Sequence, residues 1–165
     1  MADKNYISAP GAARLRAEFD HLVTTERPRV VNQVAAAAAE GDRSENAEYI
    51  YGKKRLREID RRLQWLDKTL DALEVVPTPT SAEVVVFLSW VRIEDERGRE
   101  QVLRIVGQEE TDAKRGHISW RSPVGRALLK RRVDDTVRVE TPGGVVEWTL
   151  TEISVERPAG AAAEG

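Results

Sequence analysis

From Asn46 to Glu74 the chain keeps one rhythm of apolar and charged positions. Tyr49, Gly52, Leu56, Ile59, Leu63, Leu66, Leu70 and Leu73 follow one another at spacings of three or four, which puts all eight on one stripe of an α-helix as a heptad seam. Most positions between them are charged, so the spacing predicts a helix over 46–74 with one buried face. Upstream, Leu15, Phe19, Leu22, Val23, Val30, Val34 and Ala37 or Ala38 mark a second, looser stripe between Ala12 and Glu40. Pro28 predicts a kink there, because it has no N–H for the ladder and its ring collides with the preceding turn. The alanine run Ala35 to Ala39 favours helix, and its small side chains let a partner helix approach closely. Between the stripes stands the short turn Glu40-Gly41-Asp42-Arg43-Ser44, and short connections join antiparallel neighbours. Helices alone are marginal in water, whereas each buried Leu or Ile contributes about 1.5–3 kcal/mol, so the two seams are expected to pair. Roughly 28 helical residues at 1.5 Å each make a rod about 40 Å long.

After Glu74 the period changes. Pro77-Thr78-Pro79-Thr80-Ser81 reads as a stiff linker, and strand-like segments follow at 83–94, 101–106, 117–120, 136–140 and 145–156. Turn signals separate them at 95–98 and at Pro142-Gly143-Gly144. One helix is predicted over Pro123–Lys130, opened by Ser122 as N-cap with proline at the first helical position. Trp90, Trp120 and Trp148 are candidates for the core of this part, and Trp65 falls beside the helical seam. The fold class is therefore α+β: an antiparallel coiled-coil hairpin over 1–76, a linker over 77–82, an α+β domain over 83–157, and an Ala/Gly tail over 158–165 expected to be disordered.

Composition narrows the chemistry. The 165 residues include no cysteine and two histidines, His21 and His117, which excludes thiolate sites and disulfides and makes a histidine metal cluster a poor expectation. Neither histidine has a neighbouring pattern that suggests nucleophilic catalysis. The apolar runs are too short to span a bilayer and the first residues lack a signal-peptide core, so a soluble, cytoplasmic protein without membrane contact is expected. Lys and Arg number 26 against 28 Asp and Glu, and a net charge of −2 gives no global pull on nucleic acid. Any such pull must be local.

Two places supply local chemistry. The tip Gly41-Asp42-Arg43-Ser44-Glu45-Asn46-Ala47-Glu48-Tyr49 gathers three carboxylates where the chain reverses. Asp42 and Glu45 stand in the relation of an N-cap and its reciprocal partner; equally, they are oxygen ligands for a hard cation such as magnesium, whose remaining ligands would come from elsewhere. The next stretch, Lys53-Lys54-Arg55-Leu56-Arg57-Glu58-Ile59-Asp60-Arg61-Arg62, holds six basic and two acidic residues. It reads either as a solvated flank, with Glu58 and Asp60 relieving Arg57 and Arg61, or as a patch that attracts phosphates. Gly52-Lys53 lacks the upstream glycine of a phosphate-cradling loop.

This tip and basic run resemble the bacterial Gre transcript-cleavage factors, the GreB branch in particular. Arg27-Pro28, Ser122-Pro123-x-Gly125-Arg126-Ala127-Leu128-Leu129 and Thr141-Pro142 extend the likeness over about residues 6–158, and Arg43 with Lys130 favours the GreB over the GreA branch. The resemblance implies an N-terminal coiled coil and a C-terminal domain similar to FK506-binding proteins. It implies docking of that domain, through the Ser122, Pro123 and Gly125 segment, at the secondary channel of bacterial RNA polymerase, with the hairpin inside the channel. By the same resemblance Asp42 and Glu45 are catalytic tip carboxylates supported by Ser44 and Asn46. Lys53, Lys54, Arg55, Arg57, Arg61 and Arg62 form the basic patch near the extruded nascent RNA. The implied protein is a monomer and not itself an enzyme: it lends ligands for a Mg2+ shared with the polymerase active site and binds none stably alone. Two other classes stay open on the residues, a prolyl isomerase, for which no aromatic proline pocket is evident, and a channel plug that needs no metal.

Overall fold

The computed structural model describes residues 4–41 and 46–162. They form two compact units, one over Ala12–Leu73 and one that joins Met1–Gly11 to Glu74–Gly165. This division differs from a hairpin over 1–76, because the first residues fold with the second unit. Strand β1 (Asn5–Ile7) pairs with β2 (Leu73–Val75). Glu110 holds the next residue, accepting from the Ser8 N–H at 3.1 Å, from the Ser8 hydroxyl, and from the Gly107 N–H at 2.9 Å. Ser8 in turn accepts from the Gly11 N–H at 3.1 Å, which caps helix α1 (Ala9–His21).

In the hairpin unit the first arm is interrupted. Helix α1 passes into a π-helical turn, Leu22–Glu26, before α2 (Arg27–Ala39) resumes. Pro28, in the first turn of α2, cannot donate to Thr24 and its ring crowds that carbonyl, and the wider turn just before it absorbs the misfit. A π turn takes up about one residue more than an α turn, so the spacing of eight from Leu22 to Val30 closes two turns and both are buried, at 8% and 1% exposure. Val23, expected in the stripe, is thrown outward and is 44% exposed.

The second arm, α3 (Ala47–Ala72), follows the heptad reading: Gly52, Ile59 and Leu66 are buried, and Tyr49, Leu56, Leu63 and Leu70 are half-buried. Closest approach of the arms falls at Gly52, where a Cβ would stand 2.6 Å from Val34 Cγ2.

The second unit is a curled five-stranded sheet in the order β5-β4-β3-β7-β6. Its strands are β3 (Trp90–Asp95), β4 (Glu100–Val106), β5 (His117–Ser119), β6 (Thr136–Thr141) and β7 (Gly144–Ser154). All neighbours are antiparallel except β4 and β5, and a bulge between Arg92 and Ile93 shifts the β3–β7 register. Helix α4 (Pro123–Leu128) contributes Leu128 to a core of Val85, Val91, Ile93, Ile105, Val137, Val139 and Leu150. Trp120 and Trp148 pack against that core and Trp90 is buried.

Three expectations shift. Residues 83–89 are not strand: Leu88 has φ of 69° and Ser89 closes a turn on Val86, accepting from its N–H at 3.0 Å and donating to its carbonyl at 2.7 Å. Helix α4 stops at Leu128 because Lys130 takes φ of 69° and donates its N–H to Val85. Beyond Pro158 the chain turns back, and Arg92 Nη2 donates to the Ala159 carbonyl at 2.5 Å.

Candidate nucleic-acid interface on the hairpin

At the tip, α2 ends in a turn whose Glu40 N–H reaches the Ala37 carbonyl at 3.2 Å, followed by Gly41 at φ of 147°, a backbone state that favours glycine. The chain re-enters at Asn46, whose side chain serves both arms. Its Oδ1 accepts from the Tyr49 N–H at 3.1 Å, capping α3, and its Nδ2 donates to the Ala37 carbonyl at 2.7 Å, a second donor on that carbonyl at the end of α2. Asp42, Ser44 and Glu45 lie outside the described residues, as does Arg43. The capping reading of Asp42 and Glu45 nevertheless loses its need, since the cap of α3 is Asn46.

The basic run divides by partner. Arg62 donates twice to Glu18, at 2.5 and 2.8 Å, and Arg55 lies 3.5 Å from Glu26 and 3.4 Å from Glu58. Asp60 accepts from Arg27 at 2.9 Å. The Arg62–Glu18, Arg55–Glu26 and Arg27–Asp60 pairs tie the two arms together, whereas Arg55–Glu58 lies within α3. The Arg62 bonds hold the Glu18 carboxyl below the usual carboxylate range, and Arg29, with a smaller part from Arg55, does the same for Glu26. Glu58 and Asp60 are thus spent on Arg55 and Arg27, and do not relieve Arg57 and Arg61 as the flank reading expects. Lys53, Lys54, Arg57 and Arg61 are exposed and make no ion pair with any described residue. Spaced by four, Lys53, Arg57 and Arg61 line one side of α3, with Lys54 beside them. The patch is therefore four exposed cations without an ion pair among the described residues and two, Arg55 and Arg62, paired to the first arm.

In the second unit Ser122 caps α4, accepting from the Gly125 N–H at 3.0 Å and donating to the Ser119 carbonyl at 2.7 Å. A Cβ on Gly125 would meet the Ser119 carbonyl at 2.2 Å. Ser122 and Gly125 thus serve the local fold, and Pro123 is the exposed member of the three. Among the described residues no cluster of His, Asp or Glu is arranged to hold a metal, and no helix is long and apolar enough to cross a membrane.

Sequence reasoning passed over Ile50 and Tyr51, which are 51% and 76% exposed one turn past the tip. The available signal was their position: both are apolar or aromatic, and both fall off the heptad seam.

Comparison with known proteins accounts for both units. The family description "Transcription elongation factor, N-terminal" matches residues 5–75, and "Transcription elongation factor, GreA/GreB, C-term" matches residues 80–155. The chain is 54% identical over 152 residues to transcription elongation factor GreB of Xanthomonas axonopodis pv. citri, covering 91% of this chain and 89% of that protein. It is 49% identical over 154 residues to transcription elongation factor GreB of Yersinia pestis, covering 93% and 90%. Among solved structures, that of the transcription factor Gfh1 aligns over 93% of this chain and 99% of its own, with 24% identity and a TM-score of 0.45. Matched over both units and near half identical to relatives across nine-tenths of its length, the chain belongs to the GreA/GreB family of transcription elongation factors.

Proposed function

We propose that this protein rescues arrested bacterial RNA polymerase by inserting its hairpin into the secondary channel and promoting hydrolysis of backtracked nascent RNA, a reaction the polymerase itself performs. The observation that carries this reading is the division of labour on the hairpin. Asn46 supplies the cap of α3, so Asp42 and Glu45 are assigned to chemistry rather than to capping, and four exposed cations on α3 have no ion pair among the described residues. At 1.5 Å per residue the 26 residues of α3 make a helix about 39 Å long, a length suited to entering a channel.

Asp42 and Glu45 would hold a magnesium ion there, with Ser44 and Asn46 supporting the loop. Two carboxylates are too few to retain it without other ligands, so polymerase groups and RNA phosphate oxygens must complete the shell. When bound, such an ion lowers the pKa of a water and stabilises the oxygens of an in-line displacement. Lys53, Lys54, Arg57 and Arg61 draw the displaced RNA strand along α3 through its phosphates. The second unit docks at the channel rim through the Ser122–Gly125 segment, where Pro123 is exposed. The factor acts as a monomer in the cytoplasm.

A stalled, end-labelled elongation complex supplied with magnesium and this protein should yield shortened RNA. Asp42→Asn and Glu45→Gln should keep hairpin stability within a few tenths of a kcal/mol, since Asn46 does the capping, and lose most cleavage. Full cleavage by Asp42→Asn would remove the ligand role. Reversing Arg57 and Arg61 to Glu should weaken action on long backtracked RNA more than on short. Equal losses would argue against RNA tracking.

A further inference from the structure

Between its two arms the hairpin carries a groove to which no role has yet been given. Arg29, Val30 and Gln33 of α2 and Glu48, Tyr51 and Gly52 of α3 line it. Val30 is 1% exposed and gives an apolar floor, and Gly52 is buried at the back of the groove, where α2 packs directly on the α3 backbone. Tyr51 stands 76% exposed as a wall and makes no ring contact with a described residue. Arg29, Gln33 and Glu48 place donors and acceptors on the rim, the mixture that the edge of a base can meet. Lys54, one turn beyond Tyr51, is exposed and without an ion pair among the described residues.

We propose that this groove takes one unpaired base of the extruded RNA segment, stacked on the Tyr51 ring with Lys54 on the adjoining phosphate, and so holds the strand in register for cleavage. The inference rests on the functional reading above and adds a positioning residue to it. Charge complementarity selects the occupant: a polyanion neutralises Lys54 at the edge of the groove and meets Arg29 on its rim, whereas an apolar protein segment would cover Tyr51 and leave Lys54 unmet. An aromatic face interleaved with cations is how single strands are held without sequence preference. Distance fits as well. Tyr51 is five residues beyond Asn46, about 7.5 Å along the helix axis, or about two stacked bases at 3.4 Å each.

The test uses stalled complexes whose extruded RNA carries 2-aminopurine, with wild-type protein, Tyr51→Ala and Tyr51→Phe. Wild type and Tyr51→Phe should quench the fluorophore and cleave alike. Tyr51→Ala should lose the quenching and about fivefold to thirtyfold of the cleavage rate at saturating protein, with an unchanged half-saturating concentration and unchanged helicity. Wild-type cleavage rates in Tyr51→Ala would overturn the proposal while leaving the cleavage function intact. So would a loss confined to the half-saturating concentration, because Tyr51 would then grip the polymerase rather than RNA. If the wild-type protein cleaves nothing, the functional reading fails, and quenching by wild type and Tyr51→Phe but not by Tyr51→Ala still decides the stacking.

Discussion

Asn46 donates its side-chain amide to the Ala37 carbonyl at 2.7 Å while accepting from the Tyr49 N–H, so one carboxamide closes the ends of both arms. Removing it takes one of two donors from the Ala37 carbonyl and leaves the Tyr49 N–H without its cap. Asn46→Ala should cost about 1–3 kcal/mol of hairpin stability, the sum of a cap and one further hydrogen bond, with cleavage falling as residues 42–45 lose their anchor. Asn46→Asp keeps the cap but sets a carboxylate against the Ala37 carbonyl, and should fall between. Urea denaturation followed by helical circular dichroism measures both. An Asn46→Ala variant as stable as the parent would deny the bridge.

Gly52 gives a prediction whose sign is opposite to helix propensity. In an open helix Gly→Ala gains about 1 kcal/mol, but here the added methyl meets Val34 Cγ2 at 2.6 Å, and overpacking costs about 1–3 kcal/mol. Gly52→Ala should therefore destabilise the hairpin. In a Val34→Ala background the same change should turn stabilising, and a double-mutant cycle on the four proteins reads that reversal directly.

Acid should loosen the hairpin through Glu18. Its folded carboxyl is held below the usual range chiefly by hydrogen bonds from Arg62, so its contribution is complete above the unfolded carboxylate range and is lost as pH falls through the lower folded value. The urea midpoint should stay level from about pH 7 to 5 and drop below about pH 4. Glu18→Gln should show a shallower drop, worth about 0.2–1 kcal/mol for a pair this exposed. Identical acid profiles for the two proteins would exclude Glu18 as a source.

Lys130 holds a left-handed backbone, at φ of 69°, and its side chain is exposed. Lys130→Gly removes a conformational cost of about 1–2 kcal/mol and adds back the larger unfolded entropy of glycine, about 0.5–1 kcal/mol. A rise in the thermal midpoint of the second unit is expected. A fall would mean that the lysine side chain contributes more than its exposure implies.

What the sequence disclosed depended on how local the cause was. The seam from Tyr49 to Leu73 was legible because a heptad needs only one helix and one partner face. The β6–β7 hairpin was legible because Pro142-Gly143 dictates the turn that pairs Thr141 with Gly144. Residues 83–89 misled because an apolar run reads as strand whether its backbone pairs continuously or turns, as it does at Leu88 and Ser89. The docking of Ser8 on Glu110 was out of reach, since it joins residues 102 positions apart. The basic run was read as one patch because spacing shows which cations share a face, but not that Glu18 and Glu26 on the other arm neutralise Arg62 and Arg55. At the tip the sequence offered Asp42 as the cap of α3, and the structure gives that place to Asn46, because capping depends on where the helix starts rather than on residue spacing alone.

The π turn at Leu22–Glu26 also sets where the first arm tolerates a deletion. Each residue deleted from an α-helix rotates everything beyond it by about 100°, which in most of the first arm would unseat Val30, Val34 and Ala37. Within the π turn, the loss of one residue together with the Pro28 ring would restore ordinary α periodicity and keep those side chains in phase with α3. The widened turn is thus where that arm can shorten without rolling its buried face into solvent.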